Sequence, residues 1–394
     1  MDQAIYAYPW DVLDDPEAPE QLASLGVGTV SLASVYHTTR AWSPHNPRRS
    51  VVDAAHAAVY FRPDPSRYAG LRLQPPTPGW MHGDDSFGEA VAALRDVGLQ
   101  FNAWTVVTHS SILGRAHPDL VVRNAFSDRY PYALCPADAD VRAYASALVG
   151  DLLSRYDLDG IELEACGYLG AEHGSHHEKR GLDLDTFHSA LLSVCFHPAS
   201  KAAIAEAGGD PERVRERITE AVRRFFADGA TSEGPVAEQM SDLLGGRDAE
   251  AVLAARSRTV LGMIDATLAQ MPAGDRPQVY LHAHPDRTVS GAAVGADGNG
   301  LAERADALVL PLFGRSPAQI GTSVSAASAG VTGRIPVIAN LQISPPGVRD
   351  EQELGAAVDA ALDAGAGGLR YYHYGLAPSW QLAWTARVAR RCTG

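Results

Sequence analysis

The segment Tyr156–Cys166 reads YDLDGIELEAC and places two glutamates two residues apart. Successive side chains of a β-strand point to opposite faces, so Glu162 and Glu164 share one face and the apolar residues around them share the other. Carboxylates inside a protein are costly unless they are paired or used in chemistry. Two such groups about 7 Å apart can hold different pKa values, as acid/base catalysis requires. Glu164 and Glu162 are therefore the catalytic candidates.

We expect the two glutamates to have different roles. Glu164 is nearer the C-terminal end of the strand, and we expect it to reach a pocket there and to transfer protons. Glu162 also permits a structural interpretation, in which an Arg or His from a neighbouring strand pairs with it inside the barrel. A second carboxylate for such acid/base chemistry would be Glu162 or would come from elsewhere in the chain. The other candidates are Asp11, Asp84, Asp85, Glu172, Glu178 and Asp286.

Histidines, amides and aromatic residues follow the C-terminal ends of the expected strands. Neutral imidazoles donate and accept hydrogen bonds, and aromatic faces stack on sugar rings, so these residue types favour carbohydrate binding. The substrate-binding candidates are Trp10, Asp11, His37, Arg40, Trp104, His109, Tyr168, His173, His176, His177, His282, His284, Asp286, Asn340, Gln342, Tyr372 and His373.

The histidines also raise the question of a metal. His282 and His284 share one strand face, a spacing that suits metal ligands, so a metal-dependent sugar isomerase, epimerase or hydrolase is an alternative. The histidines are nevertheless dispersed over five strand ends and match no known ligand spacing. We therefore expect no metal and no cofactor.

Eight short apolar or β-branched runs position these residues and alternate with helical patterns. The runs are Gln3–Tyr8, Gly28–Val35, Leu99–Thr108, Asp159–Ala165, Gln278–Ala283, Asp306–Leu312, Ile335–Leu341 and Gly367–Tyr372. Repeated βα units form parallel sheets, and no GxGxxG follows the first run, so we predict one α/β (β/α)8 TIM barrel over residues 1–394. Two connections are long: a loop, Tyr36–Ser86, after strand 2 and a helical insertion, Gly167–Pro277, after strand 4. Both follow the barrel face that carries active sites.

Four motifs give the chain a family resemblance. HPD at His117–Asp119, LCP at Leu134–Pro136 and DVR at Asp140–Arg142 precede the DGIELE strand. Together they resemble hydrolase-like members of the glycoside-hydrolase-like barrel proteins, over most of Leu99–Arg223. CFHPAS at Cys195–Ser200 is similar to the CxC-type box that follows strand 4 in some galactosidase-related barrels. The resemblance implies a glycoside hydrolase or a related sugar-processing enzyme.

The strand also resembles the DGIDIDWE strand of chitinase-like enzymes, in which the last carboxylate is the general acid. Cys166 stands where that acid would be, and glutamates replace the aspartates. The departure puts chitinase chemistry in doubt and leaves a carbohydrate-binding barrel without activity as a further alternative.

The composition and charge of the chain argue against some classes of binding partner. The formal net charge is −14 over 394 residues, and no basic stripe is present, which argues against nucleic acid and anionic membranes. Four dispersed cysteines suggest reduced thiols. The N-terminus shows no signal peptide and no run is long enough to span a membrane, so we expect a cytoplasmic enzyme acting on a small carbohydrate or glycoside.

Overall fold

The computed structural model describes residues 1–172, 179, 181–272, 274–345 and 347–392. Eight strands close a barrel in which each strand pairs in parallel with the next and the last pairs with the first. They are β1 (Asp2–Ala7), β2 (Thr29–Tyr36), β3 (Gln100–Val106), β4 (Gly160–Glu164), β5 (Gln278–His284), β6 (Ala307–Pro311), β7 (Val337–Gln342) and β8 (Gly368–Tyr372). The predicted (β/α)8 barrel is confirmed, and each strand falls on one of the eight predicted runs, with ends within three residues.

Helices surround the barrel and connect its strands. From β1 to β4 they are Pro9–Leu13, Ala18–Ser24, Ser86–Asp96, Ser111–Ala116 and Ala139–Arg155. From β5 onward they are Gly298–Ala302, Pro317–Gly330, Glu351–Asp363 and Ser379–Arg391. Between β4 and β5 lie Thr186–Leu192, Pro198–Glu206, Pro211–Asp228, Val236–Leu244 and Gly246–Thr267. In the described part of the chain, no helix has the length and apolar character needed to cross a bilayer.

The β4–β5 connection, residues 165–277, has an apolar core of its own. Side chains from its five helices, among them Leu191, Ile218 and Met240, bury one another apart from the barrel core. The long helix Gly246–Thr267 joins the two, because its later residues Val260 and Met263 belong to the barrel core. The connection is thereby fixed beside the C-terminal end of β4.

The loop after β2 contains short strands. Thr39–Trp42 and Val51–Ala54 form an antiparallel hairpin, and Ala58–Val59 pairs with the end of β2. A second hairpin, Val121–Arg123 with Arg129–Leu134, follows β3. The 3-10 turn Pro65–Tyr68 and the two-residue strand Val294–Gly295 complete the elements. Both hairpins extend the C-terminal face of the barrel.

The DG pair that opens β4 has a structural explanation. Asp159 accepts a hydrogen bond from the Phe101 backbone N–H at 2.9 Å and pairs with Arg95 at 3.0 Å, which ties β4 to β3. A Cβ at Gly160 would lie 2.3 Å from the Asn102 side-chain oxygen, so only glycine fits there. All five residues of β4 are buried, as expected of a strand covered on both faces.

Candidate active site at the barrel mouth

A cavity of about 560 Å³ opens at the C-terminal ends of the barrel strands, and we name it the mouth cavity. In the described part of the chain, its lining combines one carboxylate with aromatic rings, three histidines and aliphatic residues. The lining residues are Tyr36, His37, Thr39, Trp104, Glu164, His282, His284, Val289–Ala293, Leu310–Phe313, Arg315, Ser323, Asn340 and Tyr372. A largely apolar cleft with a few convergent polar groups is typical of a small-molecule site.

Glu164 is the last residue of β4 and reaches the mouth cavity with 7% of its surface exposed. The Trp104 indole N–H donates to its Oε2 at 2.7 Å, and among the described residues no group hydrogen-bonds to Oε1. The chain turns directly after it, because Ala165 adopts a left-handed φ of 57°. Hydrogen bonds from Thr108 Oγ1 to the Ala165 carbonyl and from Ala165 N–H to Ala292 hold this turn. Glu164 thus has one oxygen fixed and one available to a ligand.

Glu162 is fully buried one layer deeper and does not line the mouth cavity. It accepts hydrogen bonds from Ser31 Oγ at 2.8 Å and from the Tyr6 hydroxyl. His282 Nε2 lies 2.8 Å from Oε1, and Arg370 Nε lies 3.4 Å from Oε2. Burial opposes ionisation, but the His282 hydrogen bond and the Arg370 charge outweigh it and lower the pKa of Glu162 to about 2. Glu162 is therefore a buried carboxylate held ionised by its partners.

His282 connects this buried network to the mouth cavity. Burial lowers its pKa, yet the hydrogen bond and charge of Glu162, with the charge of Glu164, raise the pKa above the ordinary value. Its other ring nitrogen, Nδ1, is buried and has no hydrogen-bond partner among the described residues. The same is true of Asn340 Oδ1, whose amide nitrogen donates to Tyr6 at 3.4 Å. Because His282 and Asn340 both line the mouth cavity, these two atoms are available to a ligand bound there.

Aromatic rings form one wall of the mouth cavity. Trp104 contacts Tyr6 and Tyr36 edge-to-face, with ring centroids 4.7 and 4.6 Å apart. The hydroxyls of Tyr36 and Tyr372 lie 3.1 Å from each other, and burial raises the pKa of both residues. Both tyrosines are therefore neutral at neutral pH and present hydroxyls rather than phenolates. Such a wall suits the C–H faces of a sugar ring.

His284 lies at the end of β5 with a defined tautomer. Its Nδ1 accepts the Asp286 backbone N–H at 3.0 Å, so the ring proton is on Nε2. Burial lowers the pKa of His284, which keeps it neutral.

Seven of the candidates from sequence line the mouth cavity together, and the others lie elsewhere. The seven are His37, Trp104, Glu164, His282, His284, Asn340 and Tyr372. Those described but not lining it are Trp10, Asp11, Arg40, His109, Tyr168, Glu162, Asp286, Gln342 and His373. His173, His176 and His177 lie outside the described residues.

The candidates outside the mouth cavity have specific surroundings. Arg40 is exposed, with its guanidinium 5.9 Å from the Trp42 ring centre. His109 stacks on His37 at 4.3 Å, one layer behind the cavity wall. Tyr168 bonds through its hydroxyl to Ser200 at 3.1 Å. Gln342 ends β7 half-buried.

Trp10, Asp11 and His373 are buried together behind β1 and β8. The short helix Pro9–Leu13 begins directly after β1 and places Trp10 against Tyr8, with ring centroids 4.3 Å apart. His373 also stacks on Tyr8, with ring centroids 4.1 Å apart. Burial raises the pKa of Asp11 to about 8 and lowers that of His373 well below its ordinary value. Both side chains are therefore neutral near pH 7, and their 3.8 Å approach is not an ion pair.

Of the carboxylates considered as a second catalytic group, none that the structure describes lines the mouth cavity. Asp286 is exposed and accepts hydrogen bonds from Thr288 at 2.8 Å. Asp84 pairs with Arg62 at 3.3 Å, and Asp85 caps the helix Ser86–Asp96. Glu172 accepts a hydrogen bond from Ser189. Glu178 lies outside the described residues.

Sequence reasoning missed several groups. Tyr6 and Arg370 bind Glu162 from β1 and β8, and the alternation in AIYAY and GLRYY places both inside the barrel. Arg315 and Ser290 line the mouth cavity from loops after β6 and β5, where strand periodicity gives no signal. Over the described ranges, no three His, Cys, Asp or Glu side chains converge as a metal site would require.

The sequence matches no protein-family model and no curated protein. Solved structures do resemble the fold. They include α-L-fucosidase isoenzyme 2 from Paenibacillus thiaminolyticus (TM-score 0.57, 12% identity) and the β-galactosidase from the psychrophilic Marinomonas ef1 (0.57, 10%). The alignments cover all of this chain but only 49% and 60% of those two chains.

The glycoside hydrolase domain of PgaB (BpsB) from Bordetella bronchiseptica is similar over 99% of both chains, with a TM-score of 0.54 and 16% identity. The chain has the barrel fold of these glycoside hydrolases. The predicted resemblance to glycoside-hydrolase-like barrels is confirmed at the level of fold. At identities of 10–16%, the similarity does not show the reaction, which must be argued from the residues of the site.

Proposed function

We propose that this chain is a glycoside hydrolase, or a closely related sugar-processing enzyme, in which Glu164 is the general acid/base. The observation that carries the proposal is the position of Glu164. It ends β4 at the mouth cavity, where Trp104 holds one carboxylate oxygen and the other has no partner among the described residues. Catalytic groups of this fold come from the C-terminal ends of strands, which supports the assignment.

In the proposed reaction, protonated Glu164 gives its proton to the glycosidic oxygen as the bond to the sugar carbon breaks. The carboxylate that results then accepts a proton from the incoming water. The Trp104 N–H keeps the carboxyl group in one orientation through both steps. Positive charge that develops on the sugar ring is stabilised by the ionised form of Glu164 and by the electron-rich faces of the aromatic wall.

The unpartnered atoms of His282 and Asn340 complete the site. His282 Nδ1 and the acceptor Asn340 Oδ1, which have no partner among the described residues, are available to the hydroxyls of a sugar. His37 and the Tyr36–Tyr372 hydroxyl pair offer further polar contacts at the rim. We propose a small carbohydrate or glycoside as the ligand, because the mouth cavity of about 560 Å³ has room for a few sugar rings at most.

The test is Glu164→Gln, which keeps the shape of the side chain and removes its titratable proton. On unactivated oligosaccharides we expect turnover to fall by about 10²–10⁴. On nitrophenyl glycosides, whose leaving group needs little protonation, the loss should be much smaller. Cys166→Ser is the matched control, since Cys166 is buried two residues after Glu164 but does not line the mouth cavity. Equal losses on both substrate types would exclude Glu164 as the acid.

One observation favours a second candidate, a carbohydrate-binding barrel without activity. Glu164 is the one carboxylate among the described residues that line the mouth cavity, whereas glycosidases commonly use two. Calorimetric titration of the wild-type chain with sugars separates the two. Binding without turnover of any glycoside in a broad nitrophenyl panel would favour the binding protein.

A further inference from the structure

Two sequence motifs that the proposed function does not use meet in the fold. Cys135 of the LCP motif follows the hairpin after β3, and Cys195 of CFHP precedes the helix Pro198–Glu206. Although 60 positions separate them, their Sγ atoms lie 3.9 Å apart in the interior. Both thiols are free and buried. The two segments thus bring a pair of cysteines within reach of each other.

Cys195 faces a second, small cavity of about 20 Å³ beside the β4–β5 connection. Its polar lining consists of Cys195, Ser200, Tyr168 and Arg256, and the remainder is aliphatic. Cys135 lies behind this lining, with its Sγ 3.5 Å from Ser200 Oγ. The volume admits a molecule the size of water or hydrogen peroxide and excludes a sugar.

Arg256 brings a positive charge to this cavity, with its guanidinium carbon 5.1 Å from the centre of the Tyr168 ring. Its Nη2 donates to the Val289 carbonyl and to Ser290 Oγ, both at 2.7 Å, while its buried Nε has no partner in the described part of the chain. No described carboxylate lies within ion-pair distance of this guanidinium, which is 8% exposed. A buried cation without a counter-ion is costly. A thiolate at Cys195 would supply one.

The hydrogen bonds at Cys195 also favour a thiolate. Its Sγ accepts the His197 backbone N–H at 3.4 Å. Burial opposes ionisation, but the hydrogen bonds from Cys135 and Ser200, with those from the backbone, lower the pKa of the Cys195 thiol below its ordinary value. The pKa of Cys135 is raised by burial and by Cys195, so Cys135 keeps its proton. Thiolate character determines which thiol reacts with oxidants.

We propose that Cys195 and Cys135 are a redox-active thiol pair that reacts with a small hydroperoxide. The Cys195 sulfur attacks one peroxide oxygen and the O–O bond breaks, which leaves a sulfenic acid on Cys195 and releases hydroxide or an alkoxide. Cys135 then attacks the Cys195 sulfur, the S–S bond forms, and the hydroxyl leaves as water with the Cys135 proton. In balance, two thiols and hydrogen peroxide give one disulfide and two waters. An external dithiol returns the pair to the reduced state.

The experiment treats the reduced, full-length chain with one equivalent of hydrogen peroxide and then alkylates it in denaturant. We expect two of the four cysteines to escape alkylation, and a peptide map to show a Cys135–Cys195 link. Cys135→Ser should stop at the sulfenic acid, which dimedone traps on Cys195. Cys392→Ser, whose thiol is far along the chain and half-exposed, should form the link like the wild type.

Arg256→Met should slow the reaction with peroxide at least tenfold, and circular dichroism reports whether each variant is folded. The proposal is overturned if peroxide produces no Cys135–Cys195 link in the folded wild type. It is also overturned if Cys195→Ser consumes peroxide as fast as the wild type.

Discussion

Replacing Glu162 by Gln tests whether this carboxylate holds the barrel interior together. The neutral amide keeps the volume but leaves the positive charge of Arg370 without its buried counter-ion and His282 Nε2 without a carboxylate acceptor. A pKa that falls from 4.5 to about 2 on folding corresponds to about 3 kcal/mol of stability at neutral pH. Breaking buried ion pairs costs about 3–5 kcal/mol. Arg370 keeps two hydrogen bonds to Asp2 at 3.0 Å, so we expect a loss near the lower value.

Urea unfolding at pH 7 measures this loss, and its pH dependence tests the cause. Because folding lowers the pKa of Glu162, its stabilising contribution is complete above pH 4.5 and disappears as the pH falls towards 2. The difference between wild type and Glu162→Gln should therefore shrink below pH 4.5. Glu164→Gln is the control and should cost less than about 1 kcal/mol, because Glu164 has one hydrogen bond and faces the mouth cavity. A loss below 1 kcal/mol for Glu162→Gln would refute the reasoning.

Two further predictions follow from the buried groups around the site. Folding raises the pKa of Asp11 to about 8, so its stabilising contribution is complete below pH 4 and is lost as the pH rises through 8. Asp11→Asn should thus raise the melting temperature at pH 9 relative to wild type more than at pH 6, and an equal effect at both would contradict the buried neutral acid. Trp104→Phe removes the indole N–H from Glu164 and keeps an aromatic ring in the wall. We expect kcat on unactivated glycosides to fall about 10–100-fold with little change in KM, and an unchanged kcat would show that this bond does not orient Glu164.

The barrel could be predicted because each of its strands is recognisable from a short run of neighbouring residues. Each strand is a short apolar run, and the burial of both faces of β4 leaves glycine as the one residue that fits beside Asn102. The inward direction of both glutamates also follows from alternation, and the cost of a buried charge predicts an Arg or His partner for Glu162, though not which residue it is. These features depend on the period of a strand and on the cost of burying charge.

The sequence does not predict which side chains of the segments that follow the strands reach the mouth cavity. Trp10 and Asp11 follow β1 as closely as His37 follows β2, yet the helix Pro9–Leu13 turns both away from the mouth cavity. Arg315 and Ser290 enter the cavity from loops whose path depends on contacts with distant segments, such as the bonds from Arg256 to Val289 and Ser290. No periodicity encodes such paths.

The two glutamates of β4 act on the mouth cavity in different ways. Glu162 fixes His282 through Nε2, which leaves Nδ1 as the ring nitrogen available to a ligand. The Tyr6 hydroxyl bonds to Glu162 and receives the Asn340 amide nitrogen, so the amide oxygen is the atom left without a partner. One buried carboxylate therefore determines which atoms of His282 and Asn340 a ligand would meet, beside Glu164, whose Oε1 has no hydrogen-bond partner among the described residues. Loss of Glu162 should thus weaken ligand binding even in a variant that stays folded, whereas loss of Glu164 should leave binding largely intact.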